Sequence, residues 1–128
     1  MSATQSKASF RYVGEANFEL EVSKSSKPVL AVFWAPWSRP CQIIDSVLAE
    51  VEVACAGSVK ILKVNADDNP HLSLWYGVDS IPTLLCFVAG ILRERLVGTV
   101  SKEVILSLLN RHCDTRSGEA SPWKGEPA

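Results

Sequence analysis

One short stretch combines residue types suited to sulfur chemistry, because Ser38, Arg39, Pro40 and Cys41 lie between an apolar run and a segment with helical spacing. A strand that turns directly into a helix at this point places Cys41 near a helix N-terminus. Unpaired N–H groups and the helix dipole at such an end favour a thiolate over a thiol. Disulfide exchange also needs a second thiol to release the mixed disulfide, and a serine hydroxyl does not supply one. The stretch therefore suits sulfur chemistry but holds a single sulfur atom.

The other candidate nucleophiles and bases are scattered along the chain. His71 and His112 are interpreted as surface or capping residues, so a Ser/His/Asp hydrolase is not indicated. Cys55 and Cys86 lie in apolar patterns and are predicted to be core residues. Cys113, at the end of the last predicted helix, is expected to be exposed and available for an intermolecular disulfide or a glutathione adduct. No two cysteines form a CxxC pair, so neither a zinc knuckle nor any other metal site is predicted.

Composition limits the class of protein. The 128 residues are 47% hydrophobic and 21% charged, which is enough for one domain with a real core. The formal net charge is −1 and no basic run stands out, so neither nucleic acid nor a membrane surface is an expected partner. No apolar stretch approaches the roughly 20 residues that span a bilayer. The polar start of the chain is not a secretory signal, and the cysteine usage favours a reducing cytoplasm, with an organellar stroma or matrix left open.

Two elements must position the turn. The apolar run from Val29 to Trp34 predicts a strand buried on both faces, at the centre of a sheet. An apolar stripe from Ile43 to Cys55 predicts the following helix, which ends at Gly57. Pro40 suits the first turn of that helix, where its missing N–H would be unpaired in any case.

Further elements follow from the pattern. Strands are predicted at residues 10–13, 59–64, 84–88 and 91–97, a short helix at 71–76, and a last helix capped by Ser101. The pattern of residues 15–24 does not decide between strand and helix. Residues 1–8 are expected to be a disordered leader, 9–113 the folded domain, and 114–128 a disordered tail with Trp123 as its one large apolar side chain.

The sequence closely resembles the thioredoxin family from about Phe10 to Arg111. The residues that carry the resemblance include Trp34-Ala35-Pro36-Trp37, Pro40-Cys41, Asn69-Pro70, Tyr76-Gly77 and Ile81-Pro82-Thr83. The resemblance implies the thioredoxin fold, an α/β architecture in which helices flank both faces of a central mixed sheet. It implies a helix within residues 15–24 and hence the order β-α-β-α-β-α-β-β-α. It also implies a cis peptide bond before Pro82, facing the turn.

The chain departs from the family at the turn itself. Thioredoxins carry Trp-Cys-Gly-Pro-Cys, whereas this chain has Trp37-Ser38-Arg39-Pro40-Cys41. Ser38 therefore stands in the slot of the attacking cysteine, and Cys41 in the slot of the more buried resolving cysteine. Val32 occupies the slot of a buried aspartate that assists proton transfer. Lys63, without that acid, is expected to extend to solvent.

The resemblance leaves two functions open. In the first, the chain has lost dithiol catalysis and binds extended protein segments in a groove of Trp37, Arg39, Pro40, Ile81 and Pro82, with at most monothiol chemistry at Cys41. In the second, it is an active protein-disulfide reductase, served by a thioredoxin reductase, in which Ser38 is an engineered replacement of cysteine. A carrier like the monothiol glutaredoxins is disfavoured because those proteins keep the first cysteine. No cofactor is implied, and a monomer is expected, with a Cys113-linked dimer as the alternative.

Overall fold

Five strands form one mixed sheet in the order β1-β3-β2-β4-β5. A computed structural model describes the backbone of residues 10–117 and the side chains of residues 10–112. The strands are β1 (Arg11–Val13), β2 (Val29–Trp34), β3 (Lys60–Asn65), β4 (Thr83–Val88) and β5 (Ile91–Val97). The helices are α1 (Phe18–Ser23), α2 (Arg39–Cys55), α3 (Pro70–Trp75) and α4 (Lys102–Ser117). The predicted α/β fold is confirmed.

Strand direction divides the sheet into two parts. Strands β1 and β2 both run parallel to β3, whereas β4 is antiparallel to β2 and β5 is antiparallel to β4. The β4–β5 hairpin turns through Ala89 and Gly90, which both have positive φ, as a tight two-residue hairpin turn requires. This arrangement places β2 in the interior of the sheet and β1 and β5 at its edges.

Helices cover both faces of the sheet, as the sequence predicted. On one face, side chains of β2, β3 and β4 such as Leu30 pack with Ile44 of α2 and Ile105 of α4 in one buried cluster. On the other face, alternate residues of the same strands, such as Phe33, pack with Phe18 of α1. All of β2 except its last residue is buried, so the apolar run of the sequence is a strand covered on both sides.

The boundaries of two helices add detail to the predictions. Helix α2 ends at Cys55, two residues before the predicted glycine, because Ala56 already adopts the left-handed conformation and Gly57 follows it with φ +86°. Helix α4 continues to Ser117, past residue 113, where the sequence placed the end of the domain. The leader at residues 1–8, the tail from residue 118 onward and the predicted exposure of Cys113 lie outside the described residues and side chains.

Candidate functional site

Ser38 is the N-cap of α2 and is buried, with 4% of its surface exposed. Its hydroxyl oxygen accepts a hydrogen bond from the backbone N–H of Cys41 at 3.3 Å. The backbone of Ser38 forms a second hydrogen bond, because its N–H donates to the carbonyl of Ala35 at 3.2 Å. A capping serine satisfies an N–H group that has no partner inside the helix. The side chain in the first-cysteine slot therefore has a structural task, and its oxygen faces the helix.

The sulfur of the turn lies below the surface. Cys41 is buried, with 2% of its surface exposed. Cys41, Cys55 and Cys86 are assigned as thiols and not as halves of a disulfide. Cys86 is buried within one core cluster and Cys55 is half-buried against it, so the prediction that both belong to the core is confirmed. The described side chains contain no cluster of three His, Cys, Asp or Glu residues able to hold a metal ion.

An open groove of about 510 Å³ lies beside the turn. Its lining includes four residues that the sequence assigned to the site, Trp37, Arg39, Pro40 and Ile81, together with Ser38. The Ile81–Pro82 peptide bond is cis, and Pro82 itself is buried and is not among the residues that line the groove. The structure therefore brings the two separated motifs of the sequence to one surface.

Trp37 is held in a fixed position at the rim of this groove. Its ring is 68% exposed, yet its Nε1–H donates to Oδ2 of Asp67 at 2.7 Å. Asp67 belongs to the loop that follows β3, and its own N–H donates to the side chain of Asn65 at 2.9 Å. An apolar surface that is exposed but oriented by a hydrogen bond suits contact with another molecule.

Sequence reasoning missed part of the groove lining. Asp67 and Asp79 line the groove together with Ser73 and Val78. No spacing in the sequence connected Asp67 or Asp79 with the turn. The groove therefore carries two carboxylates as well as the permanent positive charge of Arg39. A partner segment would meet both signs of charge within one surface.

The prediction that Lys63 extends to solvent is wrong. Its side chain is 1% exposed, and its Nζ donates a hydrogen bond to the carboxylate of Asp45 on α2. The ammonium also lies over three aromatic rings, at 4.9 Å from the centroid of Trp34, 5.3 Å from Phe10 and 5.5 Å from Tyr12. A buried ammonium needs a counter-charge and finds it on the neighbouring helix, and the rings add cation–π attraction.

Val32 and Lys63 are register partners on adjacent strands, as the resemblance implied. Val32 is fully buried in the cluster that includes Ile44 of α2. The slot below the turn is therefore filled by an apolar side chain, and the carboxylate that pairs with Lys63 approaches from α2 instead.

Neither histidine forms a catalytic pair with the turn. His71 is exposed, and its backbone N–H donates to Glu15 at 2.8 Å, which lowers the pKa of that carboxyl below its ordinary value. His112 lies 3.2 Å from the carboxylate of Glu94. Among the described residues neither ring contacts Ser38, so a hydrolase triad is not assembled there.

Comparisons with known proteins agree on one family. The family model described as Thioredoxin matches residues 9–111. Thioredoxin of Pyropia yezoensis is 41% identical over 100 residues, covering 78% of this chain and 94% of that relative. Thioredoxin 1 of Synechococcus elongatus is 42% identical over the same shares of both chains. Thioredoxin M5, chloroplastic, of Oryza sativa subsp. japonica is 39% identical over 98 residues, 77% of this chain and 57% of the relative. The matched region contains both the turn and the groove.

Proposed function

Because the chain belongs to the thioredoxin family, we propose that it binds extended segments of partner proteins in the groove beside Trp37, with at most monothiol chemistry at Cys41. The observation that carries the proposal is that the groove is open whereas the position of the first cysteine holds a serine. The groove is open and contains an oriented, exposed tryptophan. The first-cysteine slot instead holds a buried helix cap. The chain therefore has a surface that can bind a partner segment, but it lacks the attacking sulfur that dithiol exchange requires.

The chemistry of the turn supports this division of roles. An attacking thiolate must reach a substrate disulfide and then be released by a neighbouring thiol. Ser38 offers an oxygen that accepts the Cys41 N–H, and Cys41 is covered by the turn. Any mixed disulfide formed at Cys41 would need an external thiol for its release. The turn by itself therefore supports a single exchange and no catalytic cycle.

The binding proposal is tested with a polypeptide that has neither a thiol nor a disulfide, so that no sulfur exchange can occur. We expect the carboxymethylated B chain of insulin to shift the indole N–H signal of Trp37 and the amide signal of Ile81 in NMR titrations. Trp37→Ala should weaken binding roughly 30-fold, as truncation of an aromatic hot-spot residue does. Trp75→Ala is the matched control, because Trp75 is exposed outside the groove. Equal losses in the two variants would contradict a site at Trp37.

The second candidate is an active protein-disulfide reductase in which Ser38 replaces a native cysteine and a thioredoxin reductase supplies electrons. The open groove and the cis bond before Pro82 support this candidate, because a reductase would need such a surface to bind its substrate. For both candidate functions we propose a reducing compartment, the cytoplasm or a stroma.

No helix among the described residues has the length and apolar character needed to cross a membrane.

Restoring the sulfur separates the two candidates. The present chain should not turn over insulin with dithiothreitol as donor, since it has no internal dithiol at the turn. Ser38→Cys should gain catalytic turnover if the scaffold is a reductase, and Ser38→Cys/Cys41→Ala should lose it again. An inert Ser38→Cys protein that still binds the carboxymethylated chain would favour the binding function. Turnover by the unaltered chain would overturn the proposal.

A further inference from the structure

A second cavity lies at the opposite end of the sheet from the turn. Its volume is about 430 Å³, and it is formed by the loop between α1 and β2, the start of β3 and Arg11 of β1. The turn follows the last residue of β2, whereas this cavity adjoins the strand starts. A six-residue strand spans about 20 Å. A molecule bound here would therefore not contact the Trp37 groove.

Positive charge is concentrated around this cavity. Four cationic side chains line it: Arg11, Lys24, Lys27 and Lys60. Two carboxylates accompany them, Glu52 in the lining and the buried Glu21 behind it. Four cations and two carboxylates leave an excess of two positive charges, although the whole chain carries a formal net charge of −1. The excess is thus a local feature and not a property of the whole surface.

Two of these four cations form only long contacts with the carboxylate of Glu21. Lys60 is held by Glu21, because its Nζ lies 2.7 Å from Glu21 Oε1 and donates to the Glu21 carbonyl at 3.0 Å. Lys24 and Arg11 lie farther from the same carboxylate, at 3.4 Å and 3.7 Å. Charge-assisted hydrogen bonds are shorter, about 2.7–2.9 Å. The half-exposed heads of Lys24 and Arg11 can therefore turn toward a bound anion.

The loop between α1 and β2 supplies neutral donors beside these cations. The Ser25 hydroxyl accepts from the N–H of Lys27 at 3.1 Å and donates to its carbonyl at 2.8 Å, which fixes the loop. The Nζ of Lys27 donates to the carbonyl of Gly57 at 2.9 Å and connects this loop with the one after α2. Within residues 10–117 the N–H and hydroxyl of Ser26, which lines the cavity, form no hydrogen bond. Both donors are thus available to a ligand.

We propose that this cavity binds a phosphoryl dianion, either free phosphate or the phosphate group of a small metabolite. A phosphate group carries nearly two negative charges at pH 7 and accepts several hydrogen bonds, which matches an excess of two cations and the Ser26 donors. The volume exceeds that of a single anion and leaves room for an organic substituent. The site is open and its cations are partly solvated, so we expect weak binding that falls as the salt concentration rises.

Titration by NMR at constant ionic strength tests the site. Sodium phosphate, pyrophosphate and adenosine monophosphate are added separately, with sodium chloride as the reference anion. We expect saturable shifts concentrated in the amides of residues 24–27 and 57–60. Tighter binding of the nucleotide than of phosphate identifies a metabolite phosphate, and equal binding identifies the free anion. Shifts no larger than those of chloride would overturn the proposal.

Variants give a second, independent measurement. Lys24→Gln should weaken phosphate binding about fivefold, the effect of one solvated ion pair. Glu52→Gln should strengthen it, because one carboxylate leaves the lining. Lys102→Gln makes the same charge change outside the cavity, where Lys102 lies 3.6 Å from Glu50, and should leave the affinity unchanged. If Lys102→Gln weakened binding as much as Lys24→Gln, general electrostatics would explain the effect and the site would be excluded.

Discussion

The Ser38 hydroxyl oxygen contributes to the stability of helix α2 but is a poor nucleophile. Its oxygen accepts the N–H of Cys41 and satisfies a group at the start of α2 that has no partner in the helix. Serine is among the preferred N-cap residues, whereas sulfur is a weak hydrogen-bond acceptor. Cysteine at this position would gain nucleophilicity and weaken the cap. In the proposed function, the residue that stands in place of the attacking sulfur also caps the helix that carries Cys41.

Removal of this cap gives a stability prediction for a single residue. Ser38→Ala should lower the free energy of unfolding by about 1 kcal/mol, the usual effect of losing an N-cap side chain. Urea unfolding followed by circular dichroism measures the change. Ser46→Ala is the control, because Ser46 is exposed within the same helix and alanine is the better helix former there. A loss in Ser46→Ala as large as in Ser38→Ala would show that the cap contributes nothing.

At the scale of elements, one ion pair joins β3 to α2. Lys63 is buried between the sheet and aromatic rings, and Asp45 reaches it from the helix that also carries Cys41. Asp45 is nearly half exposed, so water shares in stabilising its charge. Loss of the carboxylate would leave a buried ammonium without a counter-ion. The pair therefore fixes how α2 lies against the sheet.

Asp45→Asn should destabilise the protein by about 2 kcal/mol, less than the 3–5 kcal/mol typical of fully buried pairs because Asp45 is partly solvated. The double variant Asp45→Asn/Lys63→Met should recover most of this loss, since methionine places an apolar chain among the same rings. Chemical unfolding of the two single variants and the double variant forms a double-mutant cycle. Strictly additive losses would contradict a direct Lys63–Asp45 interaction.

The elements were predictable from local patterns, whereas several partners were not. The apolar run of β2 and the apolar stripe of α2 result from burial, and such patterns can be identified in the sequence alone. The Lys63–Asp45 pair joins residues 18 positions apart, and Asp45 lies off the apolar stripe. Asp79 reaches the groove only through the path of the loop before the cis bond. Such contacts depend on the packing of elements, and no sequence spacing specifies them.

For the whole molecule, carboxylates held by hydrogen bonds set the response to acid. A hydrogen bond from Lys60 is the largest cause that lowers the pKa of Glu21 below its ordinary value of 4.5. Burial alone would raise the pKa of Glu94, but hydrogen bonds from His112 and Arg111 outweigh it and lower the pKa. Groups of this kind stabilise the fold above pH 4.5, and the stabilisation is lost as the pH falls through their lower folded values.

Glu21→Gln tests this acid response. The variant should be less stable than the parent at neutral pH, because Lys60 loses its closest carboxylate oxygen, at 2.7 Å. It should also lose less stability between neutral pH and about pH 3, since one of the titrating groups is gone. Urea midpoints measured at both pH values give the comparison. Parallel losses in parent and variant would show that Glu21 has the same pKa in the folded and unfolded chains.

The two outer strands of the sheet also bear on how the protein behaves in crowded solution. Strand β5 has Arg93, Glu94 and Arg95 at its centre, and in the described part of the chain β1 is three residues long and begins with Arg11. Charged or very short border strands discourage a second chain from docking its backbone alongside. Fibre growth by strand addition is therefore disfavoured at both borders, and concentrated samples should stay dispersed.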